Sequence, residues 1–188
     1  MFVPYDPSAG YDPAEILPIT AWNSVVDGHE CTIEAMIHTA GELSEYVVRS
    51  TLLIIGIHGA VVTYDATSSE SFDAVESHVL EIRDLDAERK IKYPEVVLDY
   101  PIVVAGTKVD LVGKNGRRKI AGKKLAVRLG LVGFFETSAK SGEMIEEPFT
   151  SIVRELRRRE RGSSRGDTRA DKSGWSTNMK AKLKRLLS

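Results

Sequence analysis

With a single cysteine in 188 residues, Cys31 has no internal partner. A disulfide scaffold is therefore excluded, and a reducing, cytoplasmic setting is expected. No stretch of 18 uncharged apolar residues occurs, so no membrane-crossing helix is expected. The best apolar run, Leu52 to Ile57, has the length of a core strand. Asp6, Asp12 and Glu15 interrupt any apolar region near the start, so no secretory signal is expected either. What is present is ordinary globular usage, 42% hydrophobic and 28% charged, which suffices for one core.

The formal net charge of -1 hides an asymmetry. Residues 154–188 hold 12 basic and 4 acidic side chains, whereas residues 1–153 hold 14 basic and 23 acidic ones. An acidic body does not suit a nucleic-acid-binding surface, so no nucleic-acid partner is expected. The basic end suits an interaction tail. Residues 161–188 are read as that tail, flexible where Arg, Gly, Ser and Asp dominate. Within it, 177–187 can form a short amphipathic helix with Met179, Leu183, Leu186 and Leu187 on one face. Weak contact with an anionic membrane surface is the expectation for that segment, against the plainer reading of a frayed, solvated end.

Four of the seven prolines fall within residues 1–18, which read as extended loop. Asp27-Gly28 between Ile19–Val26 and Cys31–Ile37 signals a β-hairpin. Gly59–Tyr64 reads as a buried strand, followed by a helix with caps among Ser68–Ser71 and apolar Phe72, Val75, Val79 and Ile82. Pro101–Ala105 reads as a strand closed by Gly106. Residues 119–129 read as a helix with Ile120, Leu125 and Val127 apolar, ended by Gly130. Val132–Phe135 is a further strand, and Glu143–Arg159 a last helix unless Pro148 marks its first turn instead. The expected fold is α/β, a mainly parallel sheet with one antiparallel hairpin and helices on both faces. Ligands in such folds meet the carboxyl ends of the strands, which selects the loops after Tyr64, Ala105 and Phe135.

Two of those loops carry chemistry. In Gly106-Thr107-Lys108-Val109-Asp110, a carboxylate can accept two hydrogen bonds from a ring edge with adjacent N–H groups. The Lys108 stem can lie along a planar base while its ammonium stays near solvent. In Glu136-Thr137-Ser138-Ala139-Lys140, small residues let backbone N–H groups approach a ring carbonyl. Either loop alone is weak, because a Lys-x-Asp on a loop is usually a solvated turn. Two such loops after successive strands, about one strand–helix–strand unit apart, form a guanine pocket.

On these residues the chain resembles the Ras superfamily of small GTPases. Thr107-Lys108-Val109-Asp110 is similar to its Asn/Thr-Lys-x-Asp motif, and Glu136–Lys140 to its Glu-Thr-Ser-Ala-Lys motif. His38-Thr39-Ala40-Gly41 resembles the Asp-Thr-Ala-Gly that opens switch II. Asp12, Pro13 and Ala14 resemble switch I; the alternative register, through Tyr5-Asp6-Pro7, places Ser8 where Ala14 would stand. The resemblance implies a GTP/GDP-binding molecular switch using Mg²⁺ and acting through effector and regulator proteins. It implies that Asp110 reads the guanine edge, that Lys108 flanks the ring, and that Ala139 offers its backbone N–H. Thr107, Ser138 and Lys140 complete the nucleotide-binding set.

Departures from the family pattern set further expectations. No Gly-x4-Gly-Lys-Ser/Thr phosphate loop occurs in the sequence. Residues 1–160 are therefore expected to be a Ras-like domain without its N-terminal strand, phosphate loop and first helix. His38 replaces the switch II aspartate and is a poor oxygen-ligand substitute for Mg²⁺, so no metal-ligating residue is assigned. Glu42 stands where a glutamine orients the attacking water, and is the candidate catalytic position. Hydrolysis of GTP is expected to be impaired. The competing reading is a pseudo-GTPase, a protein-interaction module that kept the fold and lost the switch. The terminal Arg185-Leu186-Leu187-Ser188 is not a prenylation motif, so no prenyl anchor is expected.

Overall fold

The computed structural model describes residues 19–37, 57–92, 99–113 and 117–163. Strand β1 (Ile19–Val26) pairs antiparallel with β2 (His29–Met36) in a hairpin. Its two-residue turn needs positive φ at both positions, and Asp27 and Gly28 supply it at 53° and 77°. Strands β3 (Ala60–Asp65), β4 (Ile102–Thr107) and β5 (Gly133–Glu136) form a separate parallel sheet in the order β3-β4-β5. The expected α/β class, with a parallel sheet, one hairpin and intervening helices, is what the chain adopts.

Helix α1 (Ser69–Asp73) follows β3, with Ser68 as its cap accepting from the Ser71 N–H at 3.1 Å. A break at Ala74 separates it from α2 (Val75–Lys92), so one expected helix is two. Helix α3 (Arg117–Arg128) precedes β5, and α4 (Glu147–Ser163) closes the described chain. Helix α4 starts at Glu147 and not at Glu143. Gly142 and Met144 have left-handed backbones, with φ of 76° and 51°, which a helix cannot contain. Pro148 occupies the first turn, where its missing N–H costs nothing.

Alternation along β4 decides the layering. Ile102 and Val104 pack with Val62 and Tyr64 of β3, Val75 and Val79 of α2, and Leu125 of α3. Val103 and Ala105 point the other way, are equally buried, and lie under α4, which packs on β4 and β5. Helices thus cover both faces. Burial on both faces explains the unbroken apolar run of this central strand. On α3, Ile120 and Val127 are exposed at 62% and 83%, while Leu125 is buried. The inward face is Gly122, Leu125 and Ala126. Gly122 packs tightly there: a Cβ would stand 2.2 Å from the Phe134 ring, which would have to shift.

Among the described residues, an aromatic pair, an ion pair and a hydrogen bond tie the hairpin to α4. Trp22 meets Phe149 edge-on at 5.1 Å. Arg154 Nε pairs with Asp27 Oδ1 at 2.9 Å, and Arg157 Nη1 donates to the Val26 carbonyl at 2.6 Å. Met36 and Ile57 pack together against Leu85 of α2. Cys31, on β2, is half-buried. Among the described residues no helix is long and apolar enough to cross a membrane.

Candidate functional site

The site forms where β3, β4 and β5 end. Strand β4 does not stop before Gly106 as expected; it runs through to Thr107. Gly106 lies opposite Tyr64 in the ladder, and a Cβ on it would come within 2.7 Å of the Tyr64 ring. Glycine therefore serves close packing here and does not close the strand. Thr107 Oγ1 donates to the Tyr64 carbonyl at 2.9 Å, latching the ends of β3 and β4.

The chain then turns sharply. Lys108 adopts the left-handed conformation, φ 59° and ψ 35°, which costs a side-chain-bearing residue about 1–2 kcal/mol. A 3-10 turn over Val109–Leu111 follows, closed by Leu111 N–H to the Lys108 carbonyl at 3.0 Å. Asp110 sits in the middle of this turn and is exposed.

The loop after β5 is stitched to this turn. Thr137 N–H donates to the Gly106 carbonyl at 2.7 Å, and Val109 N–H donates to the Thr137 carbonyl at 3.3 Å. The Ser138 hydroxyl, fully buried, donates to Asp110 Oδ1 at 2.6 Å. The Ser138 hydroxyl oxygen itself accepts from the Ser141 N–H at 3.2 Å, while Ser138 N–H donates to the Glu143 carbonyl at 3.0 Å. One Asp110 oxygen is thereby fixed by a buried donor, and the carboxylate stands at the surface with its direction set. Ala139 and Lys140 are exposed on the adjoining turn.

A further residue joins from β3. Asp65, the last residue of that strand, pairs through Oδ2 with Lys108 Nζ at 2.6 Å. Its Oδ1 accepts from both Thr67 N–H at 2.8 Å and Thr67 Oγ1 at 2.6 Å. These bonds, the Lys108 ammonium first and Thr67 next, hold the Asp65 carboxyl down at about 2. The expected loops after strand ends had included this one, but no residue in it was singled out. The Asp-x-Thr spacing, which lets an aspartate cap its own turn, is the signal that marks it.

Thr107, Lys108, Asp110, Ser138, Ala139 and Lys140 thus gather at one end of the sheet. Asp12, Pro13, Ala14, Thr39, Ala40, Gly41 and Glu42, with His38, lie outside the described residues, as does the segment 177–187.

The model of the Ras family matches residues 16–158. The chain belongs to the Ras family. Among its relatives, GTPase RhebL1 of Bos taurus is 31% identical over 123 residues, 65% of this chain and 62% of that protein. GTPase RhebL1 of Mus musculus is 28% identical over 160 residues, 85% of this chain and 80% of that one. The Ras-like protein rasC of Dictyostelium discoideum is 36% identical over 129 residues, 65% of this chain and 60% of that one. The chain thus spans about three fifths of two of these relatives. The Ras-family match covers both loops of the site and the strands that carry them.

The fit of nucleotide and metal differs. The exposed, oriented Asp110 carboxylate and the exposed Lys108 stem suit the edge and face of a guanine. Among the described residues, no group of three His, Cys, Asp or Glu side chains could hold a metal ion.

Proposed function

We propose that this Ras-family chain is a guanine-nucleotide switch whose base half is intact. The observation that carries it is the buried Ser138 hydroxyl holding Asp110 at 2.6 Å across two loops. A free aspartate on a turn samples many directions, and ordering it costs affinity on binding. Here the folded state has already fixed it. Asp110 accepts from the two adjacent N–H groups on the guanine edge, Lys108 covers one ring face with its stem, and Ala139 presents its N–H to the ring carbonyl. Thr107 and Ser138 position the two loops, and Lys140 lies on the exposed turn beside them. Guanine is selected over adenine because an adenine edge offers no matching pair of donors, which would leave the fixed carboxylate unpaired.

The nucleotide is GDP or GTP by kinship, and the relatives named as GTPases support that choice. Hydrolysis in this chain is slow or absent: His38 and Glu42 stand at the positions where the family uses aspartate and glutamine. Effector and regulator proteins are the proposed partners, engaging the hairpin and the segments around it.

The test is a titration of the 188-residue chain with a fluorescent GDP, with and without Mg²⁺, beside Asp110→Ala. Saturable binding that Asp110→Ala abolishes, with the variant's circular dichroism unchanged, is the expected result. A folded wild-type chain that binds no GDP would refute it and favour the second reading, a non-catalytic interaction module. The substitutions at His38 and Glu42 are what recommend that alternative.

A further inference from the structure

We propose that Asp65 is a positioning residue for purine binding, holding the Lys108 ammonium so that the lysine stem is presented flat to the base. This rests on the nucleotide reading above and adds to it a residue outside both sequence motifs.

The geometry gives Asp65 a fixed direction. Its Oδ1 takes two bonds from Thr67, at 2.8 and 2.6 Å, which leaves Oδ2 aimed at Lys108. Its backbone N–H donates to Ser71 Oγ at 3.1 Å, and Ser71 Oγ donates back to the Asp65 carbonyl at 3.1 Å. The first turn of α1 therefore anchors the carboxylate from behind. Thr107, the residue before Lys108, pairs with Asp65 in the β3–β4 ladder. Donor and acceptor thus grow from facing strand ends.

Lys108 supplies the second half of the case. Its left-handed backbone is a conformation that persists only where its surroundings over-determine it. The side chain is 58% exposed although its ammonium is bonded. A lysine tied at its head and open along its stem is a rail against which a planar ring can lie. An untethered lysine would lose rotamer freedom when the ring arrived, and Asp65 removes part of that loss beforehand.

The chemistry separates two roles. Asp110 reads which hydrogen-bond donors the base carries, and its loss changes base selectivity. Asp65 touches no base atom, so its loss lowers affinity for purine nucleotides in equal proportion. Its charge alone would repel a nucleotide's phosphates, so a purely electrostatic Asp65 would act in the opposite direction.

The experiment uses the full chain with fluorescent GDP and fluorescent inosine diphosphate, which lacks the exocyclic amine. Asp65→Asn keeps the side-chain size and an acceptor for Thr67. The expected result is a two- to fivefold weakening for both nucleotides, the scale of a single exposed ion pair, with an unchanged melting temperature. In the Lys108→Ala background the same substitution has no further effect. The wild-type advantage also shrinks as salt rises from 0.05 to 1 M, because an exposed pair is screened. A fold defect would show none of this dependence. Asp65→Asn binding GDP as tightly as wild type, or more tightly, overturns the proposal and leaves the nucleotide reading standing. An equal loss in the Lys108→Ala background also overturns it. A folded wild-type chain that binds neither nucleotide overturns the nucleotide reading, and this proposal with it.

Discussion

Removing the Ser138 hydroxyl is the sharpest test of how the two site loops hold each other. The Ser138 side chain is fully buried. Two bonds are lost, the 2.6 Å donation to Asp110 and the 3.2 Å bond accepted from Ser141. A hydrogen bond to a charged group contributes roughly 1.5–3 kcal/mol. Asp110 and Ser141 are both exposed, however, and water re-solvates each freed group. The expected cost is therefore at the low end, about 1–2 kcal/mol. In a protein of this length that lowers the melting temperature by roughly 2–8 °C. Urea unfolding should show the midpoint moving with an unchanged slope. GDP binding should weaken more than stability does, because the freed Asp110 must be ordered by the ligand. A loss below about 0.5 kcal/mol, the usual scatter of neutral surface changes, would refute the claim that this bond organises the site.

Three further outcomes follow from the packing and charges. Gly122→Ala should cost about 1–3 kcal/mol in urea unfolding, because its Cβ would stand 2.2 Å from the ring of Phe134, itself stacked with Tyr64. Arg157→Ala should cost about 1–3 kcal/mol by the same assay, since it leaves the carbonyl of fully buried Val26 without its 2.6 Å charged donor. Glu155 is held at about 2 by Arg158 and, against the opposing effect of burial, by Arg159. A depressed folded-state pKa adds stability that is present above the unfolded value and lost as pH falls through the folded one. Wild type should therefore lose on the order of 1–3 kcal/mol more than Glu155→Gln between pH 5 and pH 2, read by thermal melts across that range.

The hairpin was legible because Asp27-Gly28 has one cheap use between apolar runs, and both residues take the positive φ that use requires. The parallel strands were legible from β-branched runs, and the neighbouring positions of the loops after β4 and β5 from the strand order. The misreadings have local causes. Gly106 was read as a strand terminator, but the nearby Tyr64 ring, 42 positions away in sequence, is what requires glycine. Ile120 and Val127, apolar in the sequence, lie on the exposed side of α3, which turns Gly122, Leu125 and Ala126 inward beside Phe134. The start of α4 was ambiguous because Glu143–Glu146 carry no breaker and Pro148 lies just beyond them. The left-handed backbones at Gly142 and Met144 resolve it. Asp65 was passed over because its Asp-x-Thr signal marks only a local turn, and its pairing with Lys108 arises when β4 lies beside β3.

The two halves of the described fold are held together differently, and this bears on how a switch of this build would transmit. The two site loops are joined by backbone hydrogen bonds from Thr137 to Gly106 and from Val109 to Thr137, in the continuation of β4 and β5. Such contacts deform little, so this end of the sheet is a fixed platform. The hairpin belongs to another sheet, and its ties to α4 are side-chain ones: an edge-on aromatic pair, an exposed ion pair and one arginine on a carbonyl. Of these, the Arg154–Asp27 pair is about half exposed at both ends and contributes little. Trp22 on Phe149 and Arg157 on Val26 are the partly buried, stronger ones of these ties. Helix α4 in turn packs on β4, the strand that leads into Lys108 and Asp110. A nucleotide that stiffens the end of β4 can bias the hairpin through α4 only if these two contacts exist in more than one arrangement. Weakening them should loosen the hairpin while leaving the site loops as they are.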